Sequence, residues 1–502
     1  MDKIITLENK LALINADEKA ARLELTLELS RLCLAEFPDK SQSYAENAYA
    51  ISGELADNVL KIAALDNLAA VLQSQQQQEK ALPYLLTSLA LKKSLKDTMA
   101  VLYSLASIGQ IYMNMEDHAT ALTYHQELLQ VCKETGDKTF YAKGLERVGY
   151  NYLHLCEFQI AQDHLLQAVE IYSQTGDKHS LANISNNLGI MHENQGNFGQ
   201  ALTHTRKAME IYEDLKLDKG VAHTFNNIGN VYSRWGHHDD ALHYYLQSLE
   251  KYEQVDDERA KSDTLNNIGS LYTMLKKYPE AMSYHQQALQ IRQKLDYKLG
   301  IAYSLNNIGI VHQYMNQPDL ALEYLRKALA LKTNLGERSS MASSLTSIAE
   351  IYSGLQEYNN ALDHATQALQ INEDIGNKSG ILNSLAILGK IHFELKNFQE
   401  AQSSLEKGLA LALEIKDKDG AAEIYLTLAT LAESRQDFQN AFHYQQNYST
   451  LKEEIFNEKS LNRFAELQTK YDVEKKQKEA EIFRLKNVEL VAACEELKKT
   501  QR

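Results

Sequence analysis

Pairs of asparagines recur at a constant spacing of 40 residues in the middle of the chain. They are Asn186 and Asn187, Asn226 and Asn227, Asn266 and Asn267, and Asn306 and Asn307. A primary amide carries both a hydrogen-bond donor and an acceptor, so it can pair with a peptide main chain whatever side chains that peptide has. A regular row of such pairs could therefore bind an extended peptide.

Polar and aromatic side chains flank these pairs along the sequence. Before the pairs stand Asn183, His223, Asp263 and Tyr303, and after them stand Asn230, Arg234, Gln313 and Tyr314. This mixture suits a peptide that is held by hydrogen bonds and by some aromatic stacking. The predicted peptide-binding site consists of the four asparagine pairs and six of their neighbours: Asn183, His223, Asn230, Arg234, Tyr303 and Tyr314.

The asparagines have a second interpretation, in which their amides bond neighbouring helices and lock the repeats together. The paired occurrence favours ligand binding, because one asparagine in each repeat would suffice for stacking. Both interpretations stay open at this point.

The histidines are the other residues that could do chemistry. His192, His312 and His392 stand at a register position that holds tyrosine in other repeats, for example Tyr232 and Tyr272. Exchange between histidine and tyrosine is typical of a packing position, so we predict a structural role for these histidines.

Sequence motifs of enzymes are missing. The chain has no GxGxxG, GxxxxGK[ST], HExxH or GxSxG motif and no kinase or cyclase signature. We therefore expect no catalytic site, no cofactor and no metal site.

The asparagine pairs belong to a longer repeat that has no insertion or deletion over ten copies. One column holds glycine or alanine: Ala69, Gly109, Gly149, Gly189, Gly229, Gly269, Gly309, Ala349, Gly389 and Ala429. A second column is always alanine: Ala81, Ala121, Ala161, Ala201, Ala241, Ala281, Ala321, Ala361, Ala401 and Ala441. Small residues at a fixed place on an apolar helical face let a partner helix approach closely. Each repeat is therefore predicted to be a helix, a short turn and a second helix.

The breaks between repeats carry a glycine followed by an acidic or amide residue. Examples are Gly136-Asp137, Gly176-Asp177, Gly336-Glu337 and Gly376-Asn377. We expect the glycine to end one helix in a left-handed conformation and its neighbour to favour the start of the next helix.

This pattern resembles the tetratricopeptide repeat (TPR) family in its longer, 40-residue form, over residues 61–450. The resemblance implies an all-α, right-handed superhelical solenoid whose first helices line a concave groove, with the asparagine ladder facing that groove. At the matching positions the chain lacks the Lys-plus-Asn pairs that clamp chaperone C-terminal carboxylates, so a chaperone-tail clamp is not expected.

Three regions are predicted. Residues 1–60 form an N-terminal helical cap or degenerate repeat, residues 61–450 form ten repeats, and residues 451–502 form a helical, coiled-coil-like extension. The last region contains 12 Lys or Arg and 11 Asp or Glu. It resembles linkers that follow TPR arrays in bacterial histidine kinases and nucleotide cyclases. It could pair in a homodimer, or it could be a solvated helix that caps the solenoid.

Composition narrows the class of partner. The net charge of -15 makes nucleic acid a poor partner. The four cysteines (Cys33, Cys132, Cys156 and Cys494) show no metal-ligand spacing, which suits reduced thiols in the cytoplasm. No stretch approaches 18 apolar residues, so we expect no insertion into a membrane.

We therefore predict a scaffold that binds a protein or extended peptide in its groove, centred on residues 181–320, as a sensory or adaptor module in bacterial signalling. Two alternatives remain. The chain could be the regulatory half of a histidine kinase or nucleotide cyclase whose output domain follows Arg502, or it could be a structural assembly spacer.

Overall fold

The computed structural model describes residues 2–456 except 16, 76 and 156, and the described residues are almost entirely helical. The helices are α1 (Asp2–Leu13), α2 (Lys19–Cys33), α3 (Pro38–Gly53), α4 (Asn58–Ser74), α5 (Gln78–Ser94), α6 (Thr98–Asn114), α7 (His118–Thr135), α8 (Lys138–His154), α9 (Phe158–Thr175), α10 (Lys178–Asn194), α11 (Phe198–Asp214), α12 (Asp218–Trp235), α13 (His238–Gln254), α14 (Glu258–Met274), α15 (Tyr278–Lys294), α16 (Lys298–Tyr314), α17 (Pro318–Leu335), α18 (Arg338–Gly354), α19 (Tyr358–Asp374), α20 (Lys378–Glu394), α21 (Phe398–Glu414) and α22 (Lys418–Ser434). A further helix, α23, covers residues 438–456.

From α4 onward the helices form consecutive antiparallel pairs, one pair in each repeat. We call the first helix of a pair helix A and the second helix B. Helix A packs on its own helix B, as α12 does on α13, and helix B packs on the next helix A, as α13 does on α14. The predicted all-α solenoid of helix-turn-helix repeats is confirmed. The α2 and α3 helices pack on each other in the same register before the first full repeat.

The glycine column marks the point where helix A comes closest to helix B. A Cβ atom at Gly229 would lie 2.6 Å from the ring of Tyr245, and one at Gly389 would lie 2.5 Å from Cγ of Leu405. Where this column holds Ala349, the facing residue is the smaller Ala365, whereas Ala69 faces Leu85. The predicted close approach is confirmed, and it explains why larger residues do not occur in the column.

The turns between repeats confirm the predicted helix ends. Gly136 has a φ of +72° and Gly336 has the same value, both in the left-handed region. The carboxylate of Asp137 then accepts hydrogen bonds from the backbone N–H groups of Thr139 (2.8 Å) and Phe140 (3.1 Å) at the start of α8. The left-handed turn and the cap together keep the repeat at a constant length.

An aromatic stack ties the end of helix A to the start of helix B inside most repeats. Tyr232 stacks on Tyr244 with the ring centroids 5.5 Å apart, and His192 stacks on His204 in the same way at 5.3 Å. The predicted packing role of His192 is therefore confirmed, since histidine and tyrosine take the same place in this stack.

The chain divides into two compact units. One contains Met1–Ile184 with Arg326–Leu345 and Gln367–Gly380. Within it the carboxylate of Glu116 accepts a hydrogen bond from the backbone N–H of Ser339 at 2.5 Å, and burial raises the pKa of Glu116. The other unit contains Ser185–Leu325 and Thr346–Thr366, and continues from Ile381. Its cores include a cluster of Ile228, Val231 and Tyr245.

Two predictions concern parts of the chain that the structure covers incompletely. The proposed dimerisation through residues 451–502 falls, from residue 457 onward, outside the described residues. Among the helices that are described, none has the length and apolar composition needed to cross a membrane.

Replacing Gly389 with alanine tests the close approach of the two helices. We expect the overlap with Leu405 to destabilise the protein by about 1–3 kcal/mol, which exceeds the gain of at most about 1 kcal/mol from the better helix propensity of alanine. The double variant Gly389→Ala/Leu405→Ala copies the Ala349 and Ala365 pair, so its free energy of unfolding in urea should be less reduced than the sum of the single changes.

Gly199 supplies the control, because a Cβ atom there would meet nothing within 4 Å. Gly199→Ala should be neutral or stabilising. Equal destabilisation by Gly199→Ala and Gly389→Ala would contradict the steric explanation.

Candidate functional site

The asparagine pairs form a hydrogen-bonded ladder between successive A helices. Nδ2 of Asn227 donates to Oδ1 of Asn186 at 2.9 Å, so that α12 is bonded to α10. The same contact recurs from Asn267 to Asn226 at 3.1 Å and from Asn307 to Asn266 at 3.1 Å. In each contact the second asparagine of one repeat donates to the first asparagine of the preceding repeat.

This geometry overturns the argument that one asparagine in each repeat would suffice for stacking. A repeat in the middle of the ladder needs its first asparagine as acceptor for the following repeat and its second as donor to the preceding repeat. Asn186 and Asn227 are accordingly buried, with 3% and 6% of their surface exposed, and Asn306 is buried as well. The pairing is thus explained by stacking and is no argument for a ligand.

Four of the ladder amides have a bonding group that these contacts do not use. In Asn227 and Asn267 the bonded atom is the nitrogen and the carbonyl oxygen is left, whereas in Asn186 and Asn226 the bonded atom is the oxygen. Asn187 at the start of the ladder is half-buried. The ladder can therefore stack repeats and offer single donors and acceptors to a ligand.

Side chains of the B helices contact the ladder residue Asn266 and the neighbouring Asn230. The hydroxyl of Tyr245 donates to Oδ1 of Asn230 at 2.8 Å, and Nδ2 of Asn267 donates to the same oxygen at 3.2 Å. Nδ1 of His285 lies 3.1 Å from Oδ1 of Asn266. Burial lowers the pKa of His285 to about 4, so its ring is neutral near pH 7.

Arg234 also bonds the preceding repeat rather than pointing freely outward. Its guanidinium donates to Oδ1 of Asn194 at 2.9 Å and lies 3.4 Å from a carboxylate oxygen of Glu193. Burial of Glu193 raises the pKa of that carboxyl, and the guanidinium opposes this shift. This predicted binding residue is therefore already engaged within the fold.

The remaining predicted residues are distributed over a defined surface. We call it the A-helix face: His223, Asn227, Asn230 and Arg234 of α12, Asp263, Asn267, Ser270 and Met274 of α14, and Tyr303, Asn307, Ile310 and Tyr314 of α16. These positions repeat every three or four residues, so each set lies along one side of its helix.

The ends of this face are the most accessible. His223 is exposed, Tyr303 is 38% exposed, and Tyr314 is 58% exposed and stacks on Tyr278 with the centroids 6.0 Å apart. Desolvation by surrounding protein atoms lowers the pKa of His223. Asn183 belongs to the other compact unit, where its Nδ2 is 3.2 Å from Nδ1 of His179.

Sequence reasoning missed a set of buried cations on the B helices. Arg292 is 3% exposed, Lys92 is buried, and Lys332 is fully enclosed, where desolvation lowers its pKa to about 8. Nζ of Lys92 donates to Oγ of Ser104 at 2.7 Å, and Lys332 bonds Ser344 at the same distance. A cation followed by serine twelve residues later is the signal that could have found them.

Family models match most of the repeat region. Residues 98–174, 180–254, 261–334 and 340–414 match one model described as a tetratricopeptide repeat, and residues 62–95 match a second model with the same description. No protein in the search of curated sequences matches the chain.

Solved structures with a similar fold are of low sequence identity. The chain is similar to a Rap protein complexed with competence and sporulation factor, with 13% identity, 71% of this chain and 98% of that chain covered, and a TM-score of 0.49. It is also similar to aspartyl phosphate phosphatase F from Bacillus subtilis, with 15% identity, coverage of 70% and 94%, and a TM-score of 0.45. A third is a signal transduction ATPase with a tetratricopeptide repeat sensor from Pyrococcus horikoshii, with 15% identity, coverage of 88% and 74%, and a TM-score of 0.46.

The stacking role of the ladder can be measured with a double-mutant cycle on Asn186 and Asn227. Asn227→Ala leaves the buried Oδ1 of Asn186 without its donor, so we expect a loss of about 1–3 kcal/mol in the free energy of unfolding in urea. The double change to alanine should cost less than the sum of the single changes, with a coupling of about 1 kcal/mol.

Asn187→Ala is the matched control beside Asn186, and we expect it to change stability by less than about 0.5 kcal/mol. Strict additivity of Asn186→Ala and Asn227→Ala would show that the two amides do not stabilise each other.

The histidine stack predicts a pH dependence of stability. Desolvation, helped by His192, lowers the pKa of His204 from 6.5 to about 4, and desolvation also lowers that of His192. The unfolded chain therefore binds more protons than the folded chain between these values, so stability falls as the pH drops from 6.5 toward 4. His192→Tyr/His204→Tyr, which copies the Tyr232 and Tyr244 stack, should reduce the fall in Tm between neutral pH and pH 5.

His443 is exposed, so His443→Tyr serves as the control and should leave that fall unchanged. The explanation fails if the double variant keeps the parent's full dependence of Tm on pH.

Proposed function

The chain belongs to the tetratricopeptide repeat family, and from that premise we propose that its A-helix face binds an extended peptide or a peptide-like segment of a partner protein. The observation that carries the proposal is the combination of this face's two chemistries. Half-used amides run along its middle, and exposed aromatic side chains lie at its ends. The amides suit the main chain of a ligand, and Tyr303 and Tyr314 suit its side chains.

The burial of the ladder limits which residues of the face can contribute to the free energy of ligand binding. Asn227 is buried and uses its Nδ2 to bond Asn186, so a ligand can add at most one hydrogen bond there, to the carbonyl oxygen, if the contact that holds the repeats is kept. Tyr314 and Met274 are more than half exposed and can bury apolar area on a ligand. We therefore assign specificity to the ends of the face and main-chain recognition to its middle.

We also propose that the protein acts as a sensory or adaptor module in cytoplasmic signalling. A ligand that prefers one arrangement of the A helices would shift the population toward it and thereby reorient α23, which follows α22. The direct hydrogen bonds between successive A helices support this proposal. A displacement of one A helix moves the amide atoms to which the next A helix is bonded. Neither a cofactor nor a metal ion is needed for this function.

A phage-displayed random peptide library selected on the full chain tests the binding face. We expect the enriched peptides to lose roughly tenfold or more in affinity for Tyr303→Ala/Tyr314→Ala, since aromatic anchors contribute most of the energy of such contacts. Fluorescence anisotropy of the synthetic peptides gives the dissociation constants.

Leu246→Ala/Leu295→Ala is the matched control, since both leucines are nearly half exposed but lie outside the A-helix face. Peptides that bind the tyrosine variant and the leucine variant equally well would place the binding site elsewhere. A selection that enriches no peptide would favour the structural-spacer function instead.

A further inference from the structure

A buried guanidinium lies directly behind the A-helix face. Arg292 of α15 is 3% exposed, and its guanidinium donates to Oγ of Ser262 at 3.2 Å, the backbone carbonyl of Gly300 at 3.0 Å and Oγ of Ser304 at 2.8 Å. Its remaining described contact is with Oδ1 of Asp263 at 2.5 Å. The arginine is therefore held in one position by three neutral acceptors and one carboxylate.

Asp263 connects this buried cation with the surface. Its side chain is 48% exposed, and its only described hydrogen-bond donor is Arg292, which contacts Oδ1. Among the described residues no donor reaches Oδ2. One oxygen is thus fixed from behind, and the other is left to accept a hydrogen bond from outside the protein.

The repeat architecture does not require this charge pair. The register positions of Asp263 and Arg292 hold His223 and Tyr252 in the preceding repeat, and Asn183 and Tyr212 in the repeat before that. Both repeats form the same helices with neutral residues. A buried ion pair generally adds less to folding stability than a neutral, well-packed pair does. The stacking of the repeats therefore does not explain why a carboxylate stands at this position.

The carboxylate lies between neutral and aromatic residues of the adjacent repeats, and the exposed Arg259 one helical turn before it stacks on the ring of Tyr297 at 4.1 Å. In the neighbouring repeats its register position holds His223 on one side and Tyr303 on the other, both exposed. Arg234, the other charged residue of the face as defined, is engaged by Glu193 and Asn194. A ligand on this face therefore meets one negative group, flanked by a ring that can stack on a cation.

We infer that Asp263 is the residue of the A-helix face that binds a positively charged group of the ligand, through its free oxygen Oδ2 and with Tyr303 beside it. The inference rests on the proposed function and names the ligand class for that site: a peptide that carries a lysine or arginine side chain, or a free amino terminus, at this position. Arg292 acts as a positioning residue, because it fixes the carboxylate from behind without touching the ligand.

Peptides enriched on the full chain provide the probes for this inference. We expect them to share a lysine or arginine, or to depend on a free amino terminus. Replacing the shared cation by glutamine should weaken binding roughly tenfold, the size of a charge-assisted contact that is partly shielded. Acetylation of the amino terminus separates the two sources of positive charge, and loss of binding in either arm supports the inference.

The protein variants use the neighbouring repeat as a template. Asp263→His/Arg292→Tyr copies His223 and Tyr252 and avoids an uncompensated buried arginine, so it should fold like the parent, as checked by circular dichroism and Tm. This variant should weaken binding of the cationic peptide about as much as replacing the peptide's cation with glutamine does. Combining the protein variant with the glutamine peptide should weaken binding little further. Arg292→Tyr alone keeps the carboxylate but removes the contact that fixes it, so it should bind the cationic peptide more weakly than the parent and more tightly than Asp263→His/Arg292→Tyr.

The control Asp218→Asn removes an exposed carboxylate outside the face and should leave the affinity unchanged. Enriched peptides without a shared positive charge, or peptides that bind Asp263→His/Arg292→Tyr as tightly as the parent, would overturn the inference while leaving the proposed function intact. A selection that enriches no peptide would overturn the proposed function itself.

Discussion

The close approach of helix A to helix B is the constraint from which the rest of this structure follows. At Gly229 or Gly389 the facing side chain occupies the space where a Cβ atom would be, so the two helices have one depth of packing and one register. In most of the turns that the structure describes, a left-handed residue such as Gly136 or Gly336 follows the helix and returns the chain at a fixed length. Because the repeats share this packing and this length, residues 40 positions apart become neighbours on adjacent A helices.

That adjacency turns a linear repeat of asparagine into a ladder. The contact joins residues 41 positions apart, as from Asn186 to Asn227, which is one repeat plus one residue. An amide with one donor group and one acceptor group can serve two neighbours, and each amide in the three ladder contacts uses one of these groups between repeats. Stacking and ligand binding are therefore compatible functions of the same residues, and the energy of the first limits how freely the second can be altered by mutation.

Features that depend on local geometry could be predicted from the sequence. The glycine column, the caps at Asp137 and Asp177 and the exchange of histidine with tyrosine all concern contacts within one repeat or one turn, where spacing along the chain fixes the neighbour. Features that depend on the distance between successive A helices could not be predicted from the sequence. The use of both asparagines for stacking and the engagement of Arg234 by Glu193 depend on how one repeat is displaced against the next, and the spacing of residues in one repeat does not determine that displacement.

The same comparison of columns separates residues that the fold requires from residues that it tolerates. Alanine is buried at Ala241 and Ala281 and recurs in every repeat, so the packing of the repeats requires it. Arg292 and Asp263 have no equivalent in the two preceding repeats, where neutral residues fill the same positions. Burying a guanidinium is unfavourable unless it is fully bonded, and Arg292 has four partners to make that burial tolerable. Tyrosine fills this position in the two preceding repeats, whereas the arginine bonds α14 and α16 through Ser262, Gly300 and Ser304. The arginine also holds a carboxylate in one orientation on the A-helix face.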